Sequence, residues 1–459
     1  MQTGFVLMAG VCGAMLASAA TEVTLYQSSK ARPFREVKSF VPFSPHAYAE
    51  GTDLVDLDAA KPSHKFLGLG VSFAEASCKI LMDLPKEKRE KVLRMLWTKE
   101  GANLSVGRLH VGCSDYSIQM TSYDDVTDDF ELKHFSIDRD RKYVLPVVKE
   151  SVALNPNLYL FSSVWTAPGW MKINGELCGG WINPKCLPVF CDYYVKYLSA
   201  YRDEGLTIRA LTLQNEPYSD QDAQSADCKW GPADEMEAAG RLMPPRLKAA
   251  GLETKIWLFD SEPNDWRRIL WELRDRDVAA NAGGIAWHSY GSDPEHMRKV
   301  RAKHPNLPMY HTEMGPLADR DARPLVWWGQ LVTRYLNAGC STFTGWCPVL
   351  DEDGLPNTSR GFCCGGLIEV HSETREIRTS GQYDLFRHIG PFVERGADIL
   401  EAPAGRTVTA FRNPDGSYVI VAANASDNKE RKLQLQVKFR GEYNSFQLPS
   451  GTVSTIILK

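Results

Sequence analysis

Between Phe66 and Val393 the sequence changes its hydrophobic period again and again, and this alternation limits the fold more than any other feature. Short apolar or β-branched runs predict strands at 66–73, 104–110, 158–164, 208–214, 255–260, 284–289, 308–312 and 342–346. Each is followed by a stretch with helical spacing: 86–97, 141–154, 188–204, 232–250, 265–277, 294–304, 325–338 and 382–393. Eight strand–helix units over about 325 residues predict an α/β fold, a (β/α)8 TIM barrel with insertions. In such a barrel the C-terminal ends of the strands face the active site, so the residues at those tips are where chemistry is expected.

Two tips carry a glutamate. The fourth strand lies in I-R-A-L-T-L-Q-N-E-P, where Pro217 removes the next ladder donor and leaves Glu216 at the end. The seventh lies in P-M-Y-H-T, followed by Glu313-Met314-Gly315-Pro316. Glycoside hydrolysis needs such a pair: one carboxyl protonates the leaving oxygen, and the other attacks the anomeric carbon or activates water.

The two ends of the chain read differently. T-E-V-T-L-Y-Q-S and R-E-V-K-S-F-V-P-F lie between Thr21 and Phe43, and four strand-like runs follow Gly396, the first two separated by the turn Asn413-Pro414-Asp415-Gly416. Four strands alone leave open edges. The expectation is therefore a side β-sandwich built from both the N- and C-terminal segments. The chain divides into a leader at 1–19, N-terminal sandwich strands at 20–65, the catalytic barrel at 66–395 and C-terminal sandwich strands at 396–459. Residues 1–20 are small and apolar and contain Ala17-Ser18-Ala19, which predicts a signal peptide cut after Ala19 or Ala20 and a secreted or periplasmic protein.

A formal net charge of −4 gives no basic footprint for nucleic acid, and no later stretch is long and apolar enough to span a bilayer. Ten of the 11 cysteines lie beyond the leader, and Cys178, Cys186 and Cys191 crowd one loop. Loop disulfides or buried thiols are expected. Paired C-x-x-C knuckles are missing, so neither a metal nor another cofactor is expected.

Seven motifs occur in order, each at a strand end: G-L-G-V-S-F-A-E-A-S from Gly68, R-L-H-V-G-C-S-D-Y-S from Arg108, S-V-W-T-A-P-G-W-M-K from Ser163, L-Q-N-E-P from Leu213, A-W-H-S-Y from Ala286, H-T-E-M-G from His311 and T-G-W from Thr344. Through them the chain resembles glycoside hydrolase family 30, which includes glucosylceramidase and β-1,6-glucanases. The resemblance implies a retaining mechanism with Glu216 as acid/base and Glu313 as nucleophile, and it implies that Asp115, Trp165, Asn215, His288, Tyr290 and Trp346 surround the sugar. Independently, an asparagine before the acid suits the 2-hydroxyl, and tryptophan faces suit a pyranose. Arg108, inside the second strand, suits holding one carboxylate ionised. Cys347 and the cysteine-rich loop 351–366 depart from the animal lipid-degrading members of the family.

The reading is a secreted retaining β-glycosidase acting on a β-glucosyl bond in a glucoside, oligosaccharide or glycolipid, resembling glucosylceramidase. Within the family the alternatives are a β-1,6-glucanase and a β-xylosidase or β-fucosidase. A metal-dependent hydrolase would need clustered histidines, and only His110, His288 and His311 approach that. The non-enzymatic alternative is a carbohydrate-binding protein that has lost catalysis.

Overall fold

In the computed structural model, residues 22–38, 52–219, 225–316, 324–358, 363–425 and 433–459 are described. The leader at 1–19 and most of R-E-V-K-S-F-V-P-F lie outside them. Eight parallel strands close into a barrel: β1 (Gly68–Ser72), β2 (Val106–Val111), β3 (Tyr159–Val164), β4 (Ile208–Thr212), β5 (Lys255–Ser261), β6 (Ala282–His288), β7 (Met309–Met314) and β8 (Cys340–Gly345). Closure is made by β8 against β1, with Thr342 opposite Gly68 and Gly345 opposite Val71. The alternation in the sequence anticipates every one of these strands.

The helices differ from expectation where side chains intervene. Helices Lys86–Trp97 and Leu325–Ala338 have the expected bounds. The stretch 232–250 is helical but widens into one π turn at Ala238–Leu242, just before Pro244 and Pro245, which lack the N–H that a regular ladder needs. Residues 265–277 give two helices, because the Asp275 carboxylate accepts from the N–H groups of Asp277 and Val278 and starts a new one at Arg276. An additional helix, Glu75–Asp83, follows β1 directly.

The side sandwich has the composite origin expected of it. Its larger sheet runs in the order Arg32–Glu36, Val23–Ser29, Thr452–Leu458, Tyr418–Asn424, Val408–Arg412, Asp398–Leu400 and Pro62–Lys65. The N-terminal strand lies antiparallel to the C-terminal one, from Val23 opposite Leu458 to Ser29 opposite Thr452. The smaller sheet contains Glu442–Leu448, Leu433–Phe439 and Asp53–Asp56. Alternate residues divide the large sheet into two apolar faces. Leu25, Ile420, Ile456 and Leu458 meet Leu435, Val437 and Phe446 of the small sheet. Phe411, Val419, Val421 and Val453 join the barrel core instead, where the sheet packs on helices Leu325–Ala338 and Gly381–Ile389. His388 bolts this joint: its ring bonds Ser28 Oγ at 2.5 Å and Thr455 Oγ1 at 2.9 Å.

The ten cysteines beyond the leader form no disulfide among the described residues, and eight are buried. Buried thiols are therefore the outcome, in place of loop disulfides. Burial pushes the thiols of Cys113 and Cys191 up to about 12.

Candidate active site

The interior of the barrel is stacked in layers. At the bottom Val106, Phe161, Ala210, Trp257 and Ala286 form a small apolar cluster, with Tyr310 stacked on Trp257 at 3.8 Å. Two residues further along β2, β3, β4, β6 and β7 come Arg108, Ser163, Thr212, His288 and Thr312, all fully buried. A strand has a period of two, so the same inward column carries both sets.

On β5 the inward step from Trp257 is three residues, to Asp260. The register explains it: Ala286 faces Phe259 and Trp287 faces Ser261, so one extra residue is inserted on β5. Phe259 and Asp260 both take positive φ, 79° and 59°. The bulge turns Phe259 out against Trp287, at 5.5 Å, and Asp260 in. A second shift, on β7, sets Glu313 opposite His288. Glu216 has φ 46°, and its N–H donates to the Asp260 carbonyl at 3.0 Å. Left-handed backbone at three non-glycine residues costs on the order of 1–3 kcal/mol each and persists only where the surroundings over-determine it.

Asp260 is the hub of the layer. Its Oδ2 accepts from Arg108 Nη2 at 2.8 Å, Ser163 Oγ at 2.8 Å and Thr212 Oγ1 at 2.6 Å. Its Oδ1 accepts from Thr312 Oγ1 at 2.5 Å and His288 Nε2 at 3.2 Å. Burial works to raise this carboxyl, but Arg108 and His288 overcome it and hold Asp260 well below the usual carboxylate range. Arg108 spreads its other donors over Ser163, Asn215 Oδ1 at 2.8 Å, and Glu313 Oε2.

The two strand-tip glutamates face each other across this layer. Oxygens of Glu216 and Glu313 and a ring nitrogen of His288 all lie within 4.8 Å of one another. His288 Nδ1 donates to Glu216 Oε1 at 2.9 Å, and Tyr290 Oη donates to Glu313 Oε1 at 2.8 Å. Burial disfavours charge on His288, but Glu313, Asp260 and Glu216 more than reverse this and raise it to about 10, so the ring is an imidazolium at neutral pH. Burial pushes the Glu313 carboxyl up, and the His288 and Arg108 charges act against that rise. Both His288 nitrogens face carboxylates, which leaves a charged ring no lone pair for a metal ion. His110 stacks on Trp165 and Trp346 and its Nδ1 bonds Ser114 Oγ at 3.0 Å, while His311 bonds Ser289 Oγ at 2.8 Å and accepts from the Thr344 N–H.

All nine residues singled out from the sequence thus meet in one place. Trp165 and Trp346 stack on each other at 5.1 Å and lie over the Arg108 guanidinium at 4.5 and 5.9 Å. Both are almost wholly buried, at 4% and 1% exposure, so they form a wall more than a platform. Gly315 lets that wall close: a Cβ there would lie 2.8 Å from Trp346 Cβ. Asp115 is buried beside both glutamates, its Oδ1 has no partner among the described residues, and burial followed by the Glu313 charge pushes its carboxyl well up. Sequence reasoning passed over Asp260, Ser163, Thr212 and Thr312. Asp260 ended a predicted strand and so carried the same tip signal as the glutamates.

This arrangement matches known proteins along its length. The description "Glycosyl hydrolase family 30 TIM-barrel domain" fits residues 66–374, and "Glycosyl hydrolase family 30 beta sandwich domain" fits residues 400–456. The chain is 29% identical over 407 residues to an endo-1,6-β-D-glucanase of Neurospora crassa, covering 84% of this chain and 82% of that one. It is 24% identical over 402 residues to the lysosomal acid glucosylceramidase of Mus musculus, covering 81% and 77%. Among solved structures it resembles the endo-β1,6-glucanase BT3312, with a TM-score of 0.83, 25% identity, and 95% and 98% of the two chains covered. With the family fit spanning most of the chain and both domains in place around one charged layer, the protein belongs to glycosyl hydrolase family 30 and is a glycoside hydrolase.

Proposed function

We propose that the protein hydrolyses a β-glucosyl bond with retention, Glu313 acting as nucleophile and Glu216 as acid/base. The observation that carries this is the separation of the two carboxylates, oxygens of which lie within 4.8 Å. Retaining enzymes set their carboxyl groups about 5–5.5 Å apart, whereas inverting enzymes leave about 6.5–9.5 Å for a water.

In the first step Glu313 forms a bond to the anomeric carbon as the glycosidic C–O bond breaks, and the proton of Glu216 passes to the leaving oxygen. In the second, water attacks the same carbon, its proton returns to Glu216 and the Glu313 ester is released. Arg108 and Tyr290 hold Glu313 at opposite oxygens, which fixes the direction of attack. Arg108 also occupies Asn215 Oδ1, leaving the amide NH2 to donate to the sugar 2-hydroxyl. The unpartnered Asp115 Oδ1 is suited to accept from a sugar hydroxyl.

Two relatives act by their names on β-1,6-glucan and one on glucosylceramide, and Cys347 with its neighbouring loop departs from the lipid-degrading pattern. β-1,6-Glucan is therefore the first substrate to assay, with glucosylceramide and aryl xylosides and fucosides beside it. Export is proposed on the leader alone, and N-terminal sequencing of the mature protein tests it.

Glu216→Ala separates the two steps. A substrate with an acidic aryl leaving group needs little protonation, so its glycosylation survives while deglycosylation stalls. Azide then restores turnover by attacking the intermediate without a general base. The expected product by proton NMR is the β-glycosyl azide, and an α-azide or no rescue overturns the assignment.

A further inference from the structure

Outside the catalytic layer one buried ionic cluster has no part in the steps above. Glu235, on helix Pro232–Glu237, and Arg268 and Glu272, on helix Trp266–Glu272, are at most 5% exposed. Arg268 Nη2 donates to Glu235 Oε2 and its Nε to Glu272 Oε1, both at 2.6 Å. Burial and the neighbouring Glu235 push the Glu272 carboxyl well up, and the Arg268 charge acts against that rise; the pair that reaches toward the barrel is Arg268 with Glu235. Removing one member of a buried pair strands the other, which is why such clusters hold geometry more than they add stability.

The free oxygen of that pair points at the bulge. Glu235 Oε1 accepts from the Phe259 N–H at 2.6 Å, and Phe259 is the first of the two β5 residues with positive φ. Arg268 lies 5.6 Å from the Phe259 ring and 4.4 Å from the ring of Tyr218, two residues after Glu216. It also donates to the Trp230 carbonyl at 3.2 Å, and Trp230 N–H donates to the Pro217 carbonyl. The pair therefore ties the tips of β4 and β5 together from outside the barrel. A bulge decides which of two neighbouring side chains faces inward, and a slip of one residue would present Phe259 to the catalytic layer in place of Asp260.

We infer that Glu235, held by Arg268, is a positioning residue for the reaction: it fixes the bulge that aims the Asp260 carboxylate at Arg108 and His288 and the Asp260 carbonyl at the Glu216 N–H. The inference rests on the retaining reading given above. Without Glu235 the Phe259 N–H loses its acceptor, and Asp260 no longer holds the His288 imidazolium in register. Glu216, Glu313 and Tyr290 also face His288, and none of them restores the bond that Asp260 makes to Nε2.

The experiment compares wild type, Glu235→Ala and Glu235→Gln on an aryl β-glucoside across pH, with melting measured alongside. For Glu235→Ala the expected result is a kcat about 100-fold lower with KM little changed, the scale at which small misplacements act. The alkaline limb of its profile shifts away from the wild-type position, because the Glu216 carboxyl that must carry the proton in the first step is bonded to His288 and feels its displacement. Glu235→Gln keeps one oxygen for either Phe259 or Arg268 and falls between the two. It carries the test if Glu235→Ala does not fold. A wild-type kcat and alkaline limb in the folded variants, even with a lowered melting temperature, overturns the inference and leaves Glu235 a purely structural residue. A wild type that hydrolyses no β-glucoside defeats the functional reading instead, and the two failures are distinct.

Discussion

The barrel interior holds two layers that are built on the same strands and are equally buried, yet they are unlike in every physical respect. The lower layer, with Trp257 against Tyr310 and Phe161 at 4.9 Å from Trp257, fills volume with carbon. The upper layer, two residues along on most strands and three on β5, consists of Arg108, Asp260, His288 and the hydroxyls that serve them. Carbon in the lower layer stabilises wherever it packs. Charge in the upper layer must first offset the cost of leaving water, so a complete set of partners leaves it near neutral for stability. What the upper layer gains is orientation. A few residues of strand thus separate holding the barrel shut from aiming two carboxylates.

The contrast breaks most sharply at Glu313. Glu313→Gln is expected to abolish turnover by at least about 10⁴-fold, as removal of a nucleophile does elsewhere, while the melting temperature stays near wild type. Mass spectrometry after a fluorosugar inactivator should find the label on Glu313, and a label on Glu352 or Glu369 would contradict the assignment. Trp257→Ala is the converse. Opening a cavity in the lower layer should cost about 3–5 kcal/mol, read by denaturant unfolding, with kcat of the folded enzyme little changed. A large kcat loss there would mean that the layers are not separable.

The same contrast explains what could be read in advance. The eight strands and the two glutamates were legible because period-two runs ending at Asn215-Glu216-Pro217 and Glu313-Met314-Gly315 announce a strand and its tip. Asp260 was not, although it ends a predicted strand. Regular alternation from Trp257 puts Phe259 inward and Asp260 outward, and no glycine marks the reversal that Glu235 enforces from another helix. The bulge is written in a contact between distant residues, which no local pattern carries. The π turn at Ala238–Leu242 and the break at Asp275 were written locally, by Pro244-Pro245 and by a capping aspartate, and were legible only as helix.

Two smaller effects sharpen the comparison. Tyr290→Phe removes one hydroxyl from Glu313 and nothing from either layer's packing. A hydrogen bond to a charged group is worth about 1.5–3 kcal/mol, so kcat should fall about tenfold or somewhat more with stability unchanged. The last concerns pH. The folded value of His288 is raised from 6.5 to about 10, so its contribution to stability is complete below 6.5 and is lost as pH rises through about 10. Unfolding free energy should decline across that window in wild type and decline less in Asp260→Asn, where the raised value has lost one of its causes. Trp257→Ala should leave the slope as it is.

The pairing of Val23–Ser29 with Thr452–Leu458 has a consequence for the order in which the protein can be made. A ribosome delivers Val23–Ser29 before any barrel strand and Thr452–Leu458 only after all eight. At about 5–20 residues per second the interval is roughly 20–90 s. Once β8 has emerged, late in that interval, the barrel can close, but until Thr452–Leu458 follows, the Val23–Ser29 edge and the outer faces of helices Leu325–Ala338 and Gly381–Ile389 wait uncovered. The nascent chain therefore passes through a stage with a finished catalytic layer and an unfinished flank, and the arrival of Thr452–Leu458 is what seals it.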